Sequence, residues 1–199
     1  MGIGLGIGVT NRSPKPSAGG PTNLGFDPAD TNAQITLSND NKTATCAASL
    51  SNFNAQSVTS HTSSTLRYFE LVVDNIGVAD YRPGIADDAM GLIMGTGNSV
   101  AILPSGAVSE NSVTIKTLGT YTTGAILQFW LKPSTGDYWI GIDNTVDGTP
   151  STETSPTGTL TVATFKIGLS PRRLNNAGTI RTIASEFSYS AQGATAWDE

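Results

Sequence analysis

Apolar side chains recur at every second position along residues 66–74, a period that imposes a strand and excludes a helix there. Phe69, Leu71 and Val73 fall on one face and Tyr68, Glu70 and Val72 on the other, because successive side chains of an extended chain point to opposite sides. Burying three such side chains is worth about 5–8 kcal/mol before entropy costs. The same period returns where Leu127, Phe129 and Leu131 align, and again in Tyr138-Trp-Ile-Gly-Ile142 beyond the turn Pro133-Ser-Thr-Gly136. Two alternating runs around a Pro/Gly turn predict a hairpin. Ile35 and Leu37, the turn Asn39-Asp40-Asn41 and residues 43–47 predict a second. Leu160 and Val162 keep one phase whereas Phe165, Ile167 and Leu169 keep the other, which predicts a β-bulge near Ala163. No stretch sustains helical periodicity, and there is no internal repeat of fixed period. The chain is therefore read as all-β, with two antiparallel sheets face to face in a β-sandwich.

A length of 199 residues suits one such domain and lets a chain bury roughly 70% of its unfolded surface without staples. Charged residues make up 14%, against about 25% in an average domain. The net charge of −5 and the lack of a basic cluster beyond Arg172 and Arg173 exclude the footprint that nucleic acid requires. No apolar run approaches the roughly 20 residues of a membrane-spanning helix. Cys46 is the only cysteine, so no intrachain disulfide forms, and its small neighbours predict a buried, inert thiol.

The first residues carry their own pattern. Gly2 to Val9 alternates strictly, placing Ile3, Leu5, Ile7 and Val9 on one face and only glycine hydrogens on the other. A Pro/Gly-rich stretch, Ser13 to Pro21, follows. The organisation read here is a glycine-rich apolar arm and linker over residues 1–22 and a sandwich over 23–199. The arm is either a frayed terminus or a docking strand that completes a sheet in another protein. Its apolar start lacks a basic leader, so no signal peptide is expected.

Residues that could carry chemistry are sparse. Glu70 and Asp74 are four positions apart on one strand, roughly 13 Å, too far for a hydrolytic pair; strand carboxylates of this kind are usually solvated. His61, the only histidine, sits in a Ser/Thr-rich stretch that reads as an exposed loop, and no Gly-Xaa-Ser-Xaa-Gly elbow exists. One His and one Cys do not make a zinc site. Asp143, Asn144 and Asp147 form an oxygen-rich loop that suits either calcium or a turn needing Asp, Asn and Gly for backbone reasons. No cofactor is otherwise expected. Trp139, Tyr138 and Trp130 are either core or a platform on which sugar rings stack.

At Tyr68-Phe-Glu-Leu-Val-Val73 the sequence resembles the SPRY family, whose early strand reads Tyr-Phe/Trp-Glu followed by aliphatics. Pro83-Gly-Ile-Ala86 resembles the family's short Gly-Ile/Val-Ala strand, and residues 124–144 its signature hairpin. The ending, Phe187-Ser-Tyr189 and Gly193-Ala-Thr-Ala-Trp197, is similar to that of SPRY-like proteins from phage genomes. The chain departs from the family pattern at Leu66-Arg67, Ala125 and Asp143-Asn-Thr145. The resemblance implies a concanavalin-like jelly roll, not an enzyme, that binds proteins or glycans. For phage members it implies a virion structural role in head decoration, neck, baseplate or fibre. On that reading the protein is made in the bacterial cytoplasm and resides in the virion in many copies. Its arm meets other virion proteins, and its body is displayed, with host surface glycan as a further ligand. The alternatives are a lectin-like carbohydrate-binding module and a sandwich-fold glycan hydrolase or lyase.

Overall fold

A computed structural model describes residues 24–48, 54–77, 80–87 and 93–199; the arm with Ile3, Leu5, Ile7 and Val9 lies outside the described residues. In chain order the strands are β1 (Ile35–Ser38), β2 (Thr43–Cys46), β3 (Ala55–Gln56), β4 (Arg67–Asn75) and β5 (Tyr81–Asp87). Then come β6 (Ser99–Ile102), β7 (Ala107–Glu110), β8 (Val113–Thr117), β9 (Ile126–Lys132) and β10 (Asp137–Ile142). The last are β11 (Thr145–Val146), β12 (Gly158–Thr159), β13 (Phe165–Pro171), β14 (Ala177–Arg181) and β15 (Thr195–Ala196). They make two sheets. One runs β1-β2-β14-β4-β9-β10-β11, with β12 added to β10 and β15 to β4; the other runs β3-β13-β5-β6-β7-β8. Every pairing between strands is antiparallel except the short β15–β4 contact.

Period-two alternation explains the packing. Phe69, Leu71 and Val73 of β4 and Leu127, Phe129 and Leu131 of β9 face inward. They meet Ile85 of β5, Val100 and Ile102 of β6, and Phe165, Ile167 and Leu169 of β13. Phe69 and Phe129 are cross-strand partners with stacked rings 4.8 Å apart. Both expected hairpins form, β1–β2 and β9–β10. Asn39, Asp40 and Asn41 take left-handed backbone angles in the first turn, which short Asn and Asp side chains tolerate. Glycine 84, within the Gly-Ile-Ala strand, has no room for a side chain: a Cβ there would lie 1.9 Å from the Val100 carbonyl oxygen.

The expected bulge near Ala163 is replaced by a change of sheet. Residues 158–159 pair with β10 in the nine-stranded layer, and residues 165–171 pair with β5 and β3 in the six-stranded one. The chain crosses the sandwich between them, so both phases point their apolar residues inward from opposite sides.

The outer face of the nine-stranded sheet is covered as well. Tyr68, Trp130 and Trp139 gather there with Phe187, Ala191 and Ala194 of the C-terminal segment. That segment crosses β4 and β9 and returns Trp197 to the main core.

Candidate functional site

Four side chains fix the outer layer. Glu70 is fully buried, against the expectation of a solvated strand carboxylate. Its carboxylate accepts hydrogen bonds from the Tyr68 hydroxyl at 2.9 Å, the Ser188 and Tyr189 amides at 2.8 Å each, and Arg181 Nη1 at 3.2 Å. Gln128, opposite Glu70 in β9, donates to the Tyr68 hydroxyl at 3.2 Å and accepts from the Asn144 amide at 2.8 Å. Burial pushes the Tyr68 phenol well above its ordinary range, which keeps it a neutral donor. The set is a clamp holding the C-terminal segment on the sheet.

The aromatic residues weighed as a sugar platform are part of this interior. Trp130, Tyr138 and Trp139 are all fully buried, and a ring without an exposed face cannot stack on a sugar; the platform expectation is corrected. The Trp130 indole N–H donates to the Ala191 carbonyl at 2.9 Å, and that of Trp139 to the Thr154 carbonyl at 3.0 Å. Tyr138 points the other way, into the main core, and its hydroxyl donates to Glu110 Oε2 at 2.6 Å. Neighbouring positions of β10 thus serve opposite faces.

His61 is not the solvated loop residue expected from its surroundings. It is half-buried, its Nε2–H donates to the Trp197 carbonyl at 2.7 Å, and its ring meets the Trp197 ring edge-on at 4.6 Å. Burial pushes its pKa below the ordinary 6.5, only partly offset by the bond to Trp197. Cys46 is buried as expected, its thiol directed at the Ala48 carbonyl.

A surface cleft lies where one edge of each sheet ends. A cleft of about 400 Å³ is lined by apolar Leu118, Ile142 and Val146 and by polar Thr120, Asp143, Thr145 and Asp147. One wall is the β10–β11 hairpin. Its two-residue loop, Asp143-Asn144, has φ of 46° and 67°, the left-handed pair that closes a tight hairpin and favours Asp and Asn. Asp143 Oδ1 also accepts from the Ile126 amide at 2.8 Å. Asp147 holds Lys116 of β8 with both carboxylate oxygens at 2.7 Å. Asn144 of the same loop donates its backbone amide to Gln128 Oε1 at 2.8 Å. No cluster of three or more His, Cys, Asp or Glu able to hold a metal occurs among the described residues.

The other wall is approached by β8, the edge of the six-stranded sheet. All five of its residues are exposed, including Val113 at 61% and Ile115 at 43%. Its pairing with β7 slips by one: Ser109 faces Thr114 and Val108 faces Lys116, so Ile115 is the extra residue of a bulge. A bulge re-aims the side chains beside it. Lys116 thereby reaches Asp147, and Ile115 comes within 3.0 Å of where a Cβ on Gly158 would sit. In sequence Val-Thr-Ile-Lys-Thr looks like any short strand; only its place at the edge of the sheet distinguishes β8.

Comparison with protein-family models finds no match, and comparison with curated proteins finds none either. Solved structures do match. The SPRY domain of human HERC1 superposes with a TM-score of 0.65 at 15% identity, over 78% of this chain and 96% of that domain. The TRIM65 PSpry domain gives 0.59 at 14%, over 80% and 92%. A further human SPRY domain gives 0.52 at 15%, over 79% and 96%. At this identity the likeness establishes the fold: a SPRY-like two-sheet sandwich, as the motifs at Tyr68, Gly84 and the β9–β10 hairpin implied.

Proposed function

We propose that this SPRY-like sandwich is a non-enzymatic protein-binding module of a bacteriophage virion. In this reading residues 1–22 attach it to the particle, and β8 with its adjoining cleft receives a protein partner. The observation that carries the binding site is the pair Val113 and Ile115, exposed on an edge strand beside a cleft with an apolar lining. An open edge offers a row of backbone donors and acceptors, and extended segments bind such edges by adding a strand. Burial of Trp130, Tyr138 and Trp139 favours a protein over a glycan as ligand. The two carboxylates of the cleft support a non-catalytic role, since Asp143 is engaged by an amide and Asp147 by Lys116. The virion setting is supported by the alternating arm and by the resemblance to phage SPRY-like proteins.

The test is a full-length Val113→Lys/Ile115→Lys variant, expressed in place of the natural chain during phage growth. Its stability is expected to stay within about 0.5 kcal/mol of the parent, because both sites are exposed. Its copy number per purified particle, counted by mass spectrometry, is expected to fall at least tenfold. Unchanged incorporation would sink the β8 site, and absence of the parent chain from particles would sink the virion role.

A further inference from the structure

We infer that the segment received by β8 is residues 2–9 of a second copy of this chain, so that copies link head to tail and only the leading arm of a row meets another virion protein. This rests on the reading of β8 as a protein-binding edge and names its partner. Among the described residues β8 is paired on one side only, by β7. Its bulge turns Ile115 and Lys116 toward the nine-stranded sheet, and the cleft with Leu118, Ile142 and Val146 lies there. A strand laid along the free edge would present one face to that cleft and the other to the outside.

The sequence of the arm offers an occupant for such an edge. Ile3, Leu5, Ile7 and Val9 supply one apolar face, and Gly2, Gly4, Gly6 and Gly8 leave the other bare. Such a strand is poor on its own, since glycine adds backbone entropy without packing, yet its backbone groups are free to complete a neighbour's sheet. Residues 2–9 carry no charged side chain, so the arm brings no charge to be desolvated at the edge.

The placement of the chain's exit favours a second copy. Leu24 lies with His61 and Trp197, and Phe26 bridges Ser57 directly after β3, the strand at the opposite edge of the six-stranded sheet from β8. Five strand spacings, about 24 Å, separate the two edges. Donor and acceptor at opposite edges make a heterologous contact, which propagates as a ring or an open row.

Two full-length variants test this by complementation: Leu5→Asp/Ile7→Asp, which spoils the donor, and Val113→Lys/Ile115→Lys, which spoils the acceptor. In sedimentation velocity the parent is expected to form concentration-dependent multimers, and each variant alone to run as a single chain. Mixed in equal amounts, the two are expected to form a two-chain complex, because one intact donor meets one intact acceptor. A parent that stays a single chain, or a mixture that does, overturns the inference; the former is the outcome for an arm docking on its own body. Loss of particle incorporation by the acceptor variant with no effect of the donor variant would overturn this inference while leaving β8 as a binding edge. Full incorporation and full association of both variants would defeat both.

Discussion

Glu70 and His61 are two ionisable side chains whose roles follow from where the fold buries them. Glu70 sits at 0% exposure with four donors around it, and removing the carboxylate takes away their shared acceptor, although Arg181 and Ser188 reach water. Glu70→Ala is expected to cost about 2–3 kcal/mol, the scale of losing charge-assisted hydrogen bonds, measured by urea unfolding. Hydrogen exchange at the Ser188 and Tyr189 amides is expected to rise with it; unchanged protection there would show that the clamp holds nothing. His61 is the chain's only histidine, and burial lowers its pKa below 6.5. Protonation is therefore harder in the folded state than in the unfolded one. Its contribution to stability is full above pH 6.5 and drains away as pH falls through the lower folded value. The urea midpoint is expected to fall between pH 7.5 and 5.5 in the parent and to change less in His61→Gln. Equal slopes would refute this. Neither role was legible locally, because a strand position and a polar loop reveal nothing about what will be laid over them.

Among the elements, hairpins were read with the least help. The β9–β10 pair was visible because apolar alternation on both sides of Pro133-Ser-Thr-Gly136 leaves one register that buries both runs. Gly136 is required there: its φ is +77°, and a Cβ would lie 2.1 Å from the Leu160 carbonyl oxygen. Gly136→Ala is expected to destabilise by at least about 2 kcal/mol, since strain of the left-handed region adds to the clash. A thermal melt decides it, and a midpoint within a degree of the parent would count against the contact with residue 160. The change of phase after Leu160 was visible too, but its cause was not. A bulge and a crossing between sheets leave the same trace in sequence, since both shift the apolar set by one position.

For the whole molecule, Trp197 shows how the ending completes the core. Its ring is fully buried, edge-on to Phe69 at 5.3 Å and to His61 at 4.6 Å, although it lies third from the chain's end. Trp197→Ala is expected to cost about 3–5 kcal/mol, read from urea unfolding; a loss below 1 kcal/mol would mean the C-terminal segment merely rests on the sandwich. The SPRY likeness was recognisable from Tyr68-Phe-Glu, Pro83-Gly-Ile-Ala86 and residues 124–144, whose side chains keep the period that two facing layers demand. The amino-acid order by itself determined that the chain is all-β, where its hairpins turn, and which side chains face inward, because alternation and turn chemistry are local. Only the tertiary structure decided that Trp130 and Trp139 are covered, that Glu70 is a clamp, and that β8 is paired on one side only among the described residues. Those outcomes depend on which distant segment comes to lie beside a strand, and that is set by the packing of the whole.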